Sequence, residues 1–466
     1  MTLSTLPGTI GDLRASNYQV LPVRQELRKN LIAKIRSEEI VFPGIIGFEH
    51  TVIPQLENAI LAGQDIILLG ERGQAKSRLI RSMVTLLDEF IPKIADCEIN
   101  DNPYAPICRV CRNRVAEQGD DTQIQWIGRD ERYSEKLATP DISIADLIGE
   151  IDPIKVAEGH YLSDELVIHY GLVPRTNRGI FCINELPDLA ERIQVGLFNL
   201  MEERDVQIKG YRIRLPLDVY VVSTANPEDY TNRGRIVTPL KDRYGSQIHT
   251  HYPKTIEEEI AIMDQERTRF PDEDSMVIPY YMKEILAEIT SQARESSEIN
   301  QRSGVSCRVS ISNFETLLGN ALRRSIIHGE QHVCPRTSDL PYIMASFSGK
   351  IELETFEEGR ESRVTDDLTR RGVLRVFGGV FEVDELERIV TAFDMGNTAE
   401  TSSEKPSPEY LVMLAQVDGL ADAVKKVTTD ERPEVVASAV EFILEGLHLN
   451  RRLNCERTSA GYLYRR

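Results

Sequence analysis

A chain of 466 residues with 74 acidic and 55 basic side chains carries a formal charge of -19, a balance that opposes nonspecific attraction to nucleic-acid phosphates or anionic lipid. The length calls for about three domains at roughly 150 residues each. No stretch approaches the ~18 consecutive apolar residues of a membrane span, and the start, MTLSTLPGTIGDLRASNY, lacks the basic and apolar regions of a secretion signal. A cytoplasmic chain with no membrane and no specific nucleic-acid partner is expected. Seven cysteines in so long a chain point to reduced thiols or a metal site rather than a disulfide framework.

Residues 1–40 are polar with helical spacing of Leu27, Leu31, Ile32 and Ile35, and they stop at Phe42-Pro43-Gly44, as a helical lead-in would. Over 41–254, apolar runs at 65–69, 179–183 and 219–223 read as strands, and the amphipathic stretches 51–61, 76–90 and 189–204 read as helices. That alternation predicts an α/β core on a parallel sheet. Within it, 97–138 reads as an irregular polar insertion. After Pro253 apolar residues recur at three- and four-residue spacing in 256–266, 282–296 and 312–328, which predicts a helical domain over 255–350. NTAETSSEKPSP (397–408) has the composition of a linker inside a mostly helical C-terminal extension, 351–466.

The chemistry begins with ILLGERGQAKSRLIR (67–81), an apolar strand running into a loop and then a helix. Gly70, Glu71, Arg72, Gly73, Gln74, Ala75, Lys76, Ser77 and Arg78 form a candidate phosphate loop. Its N–H groups and the helix start would surround phosphates, Lys76 would neutralise the β/γ oxygens and Ser77 would reach magnesium. The pattern is G-x-x-x-x-A-K-S, so Ala75 stands where a glycine is usual, and its methyl can be accommodated if φ there is negative. RGIFCINELPDL (178–189) ends an apolar strand in Asn184-Glu185. Glu185 is placed to polarise an attacking water, while Asn184 keeps the shape of the usual aspartate toward magnesium, through a water, without its charge. VYVVSTANPED (219–229) ends a further strand in Asn226, a candidate for holding the γ-phosphate or the water. Arg243 in LKDRYG and Arg308 in GVSCRVS could supply guanidinium to the phosphates.

Phosphate loop, Glu-terminated strand, Asn-terminated strand, Arg, and a second Arg in a helical region follow one another in an order that resembles AAA+ ATPases. The closer likeness is to the MoxR and magnesium-chelatase I-subunit branch, carried by FPGIIGFEHTVIPQLENAIL (42–61), LIGEIDPIKVAEG (147–159), GLVPRTNRGIFCINELPDL (171–189), NPED and LKDRYG. The resemblance implies an AAA+ P-loop core with a helical lid, ATP and magnesium as ligands, and a ring of subunits, commonly hexameric. It implies Lys76 and Ser77 as loop residues, Glu185 as catalytic carboxylate, Asn226 as sensor 1, Arg243 as arginine finger and Arg308 as sensor 2. It further implies a remodelling or chaperone-like ATPase acting on a protein client, with a von Willebrand A-domain partner. DVQIKGYRIRLP (205–216) reads as a β-hairpin, which in this branch moves with nucleotide state and touches partners. A different reading is an ATP-binding scaffold with little or no hydrolysis because of Asn184; an enhancer-binding transcription activator is opposed by the absence of a GAFTGA-like loop.

Cys97, Cys108 and Cys111 lie in CEINDNPYAPICRVCR. The C-x-x-C pair suits zinc, with Cys97 as a third ligand and a fourth still to be found; a reduced pair or a redox role are the other readings. Cys182 is expected in the core.

Overall fold

Apolar runs with few polar interruptions build a five-stranded parallel sheet in the computed structural model of the chain, which describes residues 6–152, 167–207, 214–226, 236–271, 273–301, 303–355, 359–458 and 461–466. The strands are β1 (Ile66–Leu69), β2 (Tyr133–Leu137), β3 (Gly179–Asn184), β4 (Val219–Ala225) and β5 (Ser246–His249), in the spatial order 5-1-4-3-2. Every residue of β1, β3 and β4 is buried, as expected of a sheet covered on both faces. Alternate residues feed two apolar clusters: Ile67, Leu69, Phe181, Ile183 and Val221 on one face, Ile66, Leu68, Ile180, Cys182 and Val222 on the other.

These strands belong to the first of two units, Met1–His251 and Tyr252–Arg466. The lead-in is built into the first. Helix Val23–Arg36 buries Val23, Leu27 and Leu31 in the same cluster as Ile66 and Leu68. Its Glu26 meets Arg132 in a double-headed pair at 2.6 and 2.7 Å, with 3% and 1% of the two side chains exposed. Asp65, at the foot of β1, takes Arg24 and Arg204 at 2.6 Å each and the Val221 N–H at 3.0 Å.

Two expectations for this unit are corrected. The stretch 97–138 is not irregular: it holds helix Arg109–Gln118, strand Ile124–Gly128 paired antiparallel with Phe90–Ile94, and β2 itself. YSEKL hid as a strand because β2 is an edge of the sheet and keeps only partial burial. Residues 76–90 are not one helix either. Helix Lys76–Ser82 tightens into a 3-10 turn, Met83–Leu86, and Phe90 already opens the next strand. Asp205–Gln207 and Arg214–Pro216 pair antiparallel as the expected hairpin; its centre, 208–213, lies outside the described residues, as do 153–166 and Pro227–Asp229 of the quoted motifs.

The second unit contains helices Ile256–Glu266, Tyr280–Glu295, Arg308–His328, Arg360–Val380 and Pro433–Leu449, which share one apolar cluster running from Ile260 to Tyr464. Tyr281 stacks on Phe442 at 4.5 Å between centroids, and Phe377 meets Phe442 edge-on at 5.7 Å. The expected lid and C-terminal extension therefore draw on a common core. The expected linker is packed: Ala399–Thr401 joins a three-stranded sheet with Asn454–Arg457 and Tyr462–Arg465, Ser407 is fully buried, and the Lys405 carbonyl accepts from Arg336 at 2.7 Å. Among the described residues no helix is long and apolar enough to cross a membrane.

Candidate functional site

The register of the sheet brings three strand ends level. Leu69 of β1 sits beside Ala225 of β4, and Ser223 of β4 beside Ile183 of β3, so Gly70, Asn184-Glu185 and Asn226 follow at one edge, the carboxyl ends of parallel strands where ligands bind such sheets. The Gly70 N–H donates to the Ala225 carbonyl at 3.1 Å, tying the start of the loop to the end of β4.

The loop is held by its own side chains. Gln74 is buried, and its Oε1 accepts from the Glu71 N–H at 3.1 Å and the Thr250 hydroxyl at 2.7 Å. A Cβ on Gly70 would lie 1.9 Å from Thr250 Oγ1 and 2.2 Å from Gln74 Oε1, so a side chain there would displace both. Lys76 is 7% exposed, and its ammonium donates to the Gly70 carbonyl and, at 2.7 Å, to that of Glu71. Ala75 has φ 53° and ψ 15°, so the negative φ that would accommodate its methyl is not the one the loop adopts. The loop keeps the left-handed turn that glycine usually supplies and bears a methyl in it, at about 1–2 kcal/mol. Ser77 lies in the first turn of the helix; Arg72 and Arg78 are exposed.

Glu185, like Ala75, has left-handed backbone, φ 55° and ψ 50°, at the turn leaving β3. Its N–H donates to Thr224 Oγ1 at 3.0 Å, which sets the turn against β4. Asn184 is 8% exposed. Its Oδ1 accepts from Thr224 Oγ1 at 3.3 Å, and its Nδ2 donates to the carboxylate of Glu135 on β2. Glu135 also accepts from two Arg81 nitrogens, at 2.8 and 3.0 Å, and from the Tyr133 hydroxyl at 2.9 Å. Those Arg81 hydrogen bonds, foremost, hold its carboxyl below the usual range, so it is ionised at neutral pH. Arg81 is four residues after Ser77 on one helix, hence on the same face. A carboxylate thus stands beside Asn184, on a residue that sequence reasoning passed over; recognising 133–137 as a strand was the only signal that could have found it. Thr224 and Thr250 were passed over likewise.

Asn226 is 2% exposed. Arg243 ends helix Thr238–Arg243, where it pairs with Glu202, donates to the Pro239 carbonyl at 2.7 Å and lies 4.8 Å from the Phe198 ring centroid. Arg308 belongs to the second unit, as the exposed first residue of helix Arg308–His328. Cys182 is fully buried in β3. Cys97, Cys108 and Cys111 come together with Asp101, which the sequence had not put forward.

No family model matches the chain. Among curated proteins, the magnesium-chelatase 38 kDa subunit of Cereibacter sphaeroides is 23% identical over 240 residues, covering 51% of this chain and 66% of that protein. The magnesium-chelatase subunit ChlI of a Nostoc species is 26% identical over 263 residues, 53% and 64% respectively. That of Nephroselmis olivacea is 26% identical over 337 residues, 68% and 85%. The chain spans just under two thirds of the length of the first two. Among solved structures, the complex of the BchI and BchD subunits of magnesium chelatase aligns at 19% identity over 75% of this chain and 99% of that one, with a TM-score of 0.32, and no argument rests on it. In its curated relatives, its 5-1-4-3-2 parallel sheet and the candidate phosphate loop leaving the first strand, this chain is similar to the magnesium-chelatase I subunits and consistent with the AAA+ branch that holds them and MoxR.

Proposed function

We propose that the chain binds and hydrolyses ATP, slowly, and works in a ring, a hexamer by family likeness, to remodel a protein client. The observation that carries this reading is the alignment of the Gly70–Lys76 loop, Glu185 and Asn226 at one edge of the sheet. Loop N–H groups from Gly70 to Ser77 and the helix start hold the phosphates. The Lys76 ammonium leaves the loop carbonyls for the β/γ oxygens, so nucleotide replaces contacts that the loop makes to itself. Glu185 polarises the attacking water, and Asn226 holds that water or the γ-phosphate.

The donor set suits magnesium: Ser77 offers a hydroxyl, Asn184 an acceptor oxygen through a water, and Glu135 a carboxylate beside it. When bound, the ion neutralises charge on the β- and γ-oxygens. Asn184 is then an exchange rather than a deletion, with the negative charge moved one strand over to Glu135. Arg243, drawn up by Glu202, is the arginine offered to a neighbouring subunit's phosphates, and Arg308 is the sensor arginine on the second unit. The relatives are named as subunits, in keeping with a partner protein; the branch favours one with a von Willebrand A domain, and the hairpin 205–216 is the moving part that would touch it or the client.

Steady-state ATPase of wild type against Glu185→Gln tests the reading. Turnover abolished in the variant with nucleotide binding kept is the expected result. A wild type that binds ATP yet hydrolyses none at saturating magnesium, alone or with its partner, makes the chain an ATP-binding scaffold. Rings mixed from Arg243→Ala and Lys76→Ala subunits should regain activity that neither has alone; inactive rings with confirmed co-assembly reject a finger in trans.

A further inference from the structure

We propose that Cys97, Asp101, Cys108 and Cys111 bind one structural zinc ion. One ligand atom from each residue can be chosen so that all four lie within 4.8 Å of one another. A tetrahedral ion with zinc–sulfur bonds of about 2.3 Å asks for sulfur–sulfur edges of about 3.8 Å, so the set need draw in by no more than about 1 Å. All four residues are buried, at 6%, 0%, 5% and 1% exposure.

Asp101 supplies the argument for a cation. Its carboxylate is fully buried among three thiols, and among the described residues it forms no ion pair. It accepts the N–H groups of Ile107 at 3.2 Å and Cys108 at 3.0 Å, which leaves lone pairs on both oxygens. A buried carboxylate with no counter-charge is costly, and a divalent ion removes that cost. The backbone is already arranged for charge on sulfur: Cys97 Sγ accepts from the Asp101 N–H at 3.4 Å, and Cys108 Sγ, at the head of helix Arg109–Gln118, accepts from the Cys111 N–H at 3.3 Å.

Three sulfurs and one oxygen fit zinc better than the hard ions that magnesium sites hold. With four buried protein ligands, the site has no open coordination position and is structural. Its lever is position. Asn100 donates to the Arg175 carbonyl at 3.0 Å, Asn177 to that of Ile99 at 3.0 Å, and Arg178 to that of Pro92 at 2.7 Å. The clamped segment therefore braces the turn that feeds β3, the strand that ends in Asn184.

The full chain, purified under reducing conditions without metal-affinity resin or chelator, should contain about one zinc per chain by elemental analysis, released by a mercurial thiol reagent. Cys108→Ser/Cys111→Ser should lose it, while Cys307→Ser, a buried thiol of the second unit, should keep it. In cobalt-substituted wild type, thiolate-to-metal charge transfer and intense tetrahedral bands are expected, and Asp101→Asn should shift the latter. Should the double variant fail to fold, the wild-type zinc content and cobalt spectrum still decide. Metal-free protein from zinc-supplemented growth, iron in place of zinc, or a disulfide within the cluster in freshly isolated protein would each overturn the proposal. None of these measurements depends on ATP hydrolysis, so the zinc site and the ATPase reading fail separately.

Discussion

At the phosphate-loop edge of the first unit, two non-glycine residues sit in left-handed backbone and the Lys76 ammonium rests on loop carbonyls. In the second unit, Arg324, Arg336, Asp339 and Glu441 are no more than 3% exposed and close on one another and their neighbours. Arg324 meets Asp339 at 2.5 Å, the Arg336 N–H donates to Asp339 at 2.8 Å, and Glu441 accepts the Ser338 N–H at 2.9 Å and the Tyr410 hydroxyl. Both regions are polar and partly or wholly buried. In one, left-handed backbone is retained and a cation is held by loop carbonyls. In the other, charge is spent on fixing the fold. The lesson is that burial of charge does not by itself mark a site.

The largest effect should come from breaking the closed cluster. Glu441→Ala leaves Tyr410, Ser338 and Arg336 around a missing carboxylate, and a loss of about 3–5 kcal/mol is expected in urea unfolding. ATP affinity of the protein that remains folded should be unchanged; a matching loss of affinity would erase the distinction between the two regions. Next comes Lys76→Ala, for which calorimetry should find ATP binding weakened by about a hundredfold or more, as removal of a fixed phosphate-binding cation implies, with little change in unfolding midpoint. Unaltered ATP affinity would remove the loop from the site.

Asn184→Asp sharpens the comparison by turning exchangeable polarity into stored repulsion. The new carboxylate would face Glu135 in place of a donor, so a penalty of about 1–2 kcal/mol is expected without divalent ions, recovered as magnesium is added. Stability indifferent to magnesium in that variant would separate Glu135 from the metal. Smallest is Ala75→Gly, which removes the methyl from a left-handed residue. A gain of about 1 kcal/mol, or tighter ATP binding to match, is expected; a loss would mean that the methyl's packing outweighs its strain.

The loop, β3 and β4 were legible because buried parallel strands are continuous apolar runs and turn residues punctuate them. β2 was not, since an edge strand such as YSEKL carries polar residues on a face that it leaves partly open. With it went Glu135, whose place beside Asn184 exists only through pairing. The left-handed backbone at Ala75 is set by the turn that the loop must make and is not legible from residue identity. Asn397–Pro408 looked like a linker by composition, yet Arg336 and the three-stranded sheet hold it, contacts from distant residues that no local window contains. The C-x-x-C pair announced itself, while Asp101, four residues after Cys97, is an ordinary aspartate until the fold buries it.

The double-headed pair of Glu26 and Arg132 sets where this protein can be cut. A fragment begun at residue 41, the natural choice from the motifs alone, would retain Arg132 in the interior and discard its carboxylate, and would strip Val23, Leu27 and Leu31 from the sheet face beneath. The smallest expressible nucleotide-binding piece therefore starts upstream of Val23, and any chimera that grafts this core onto another protein must carry the helix with it.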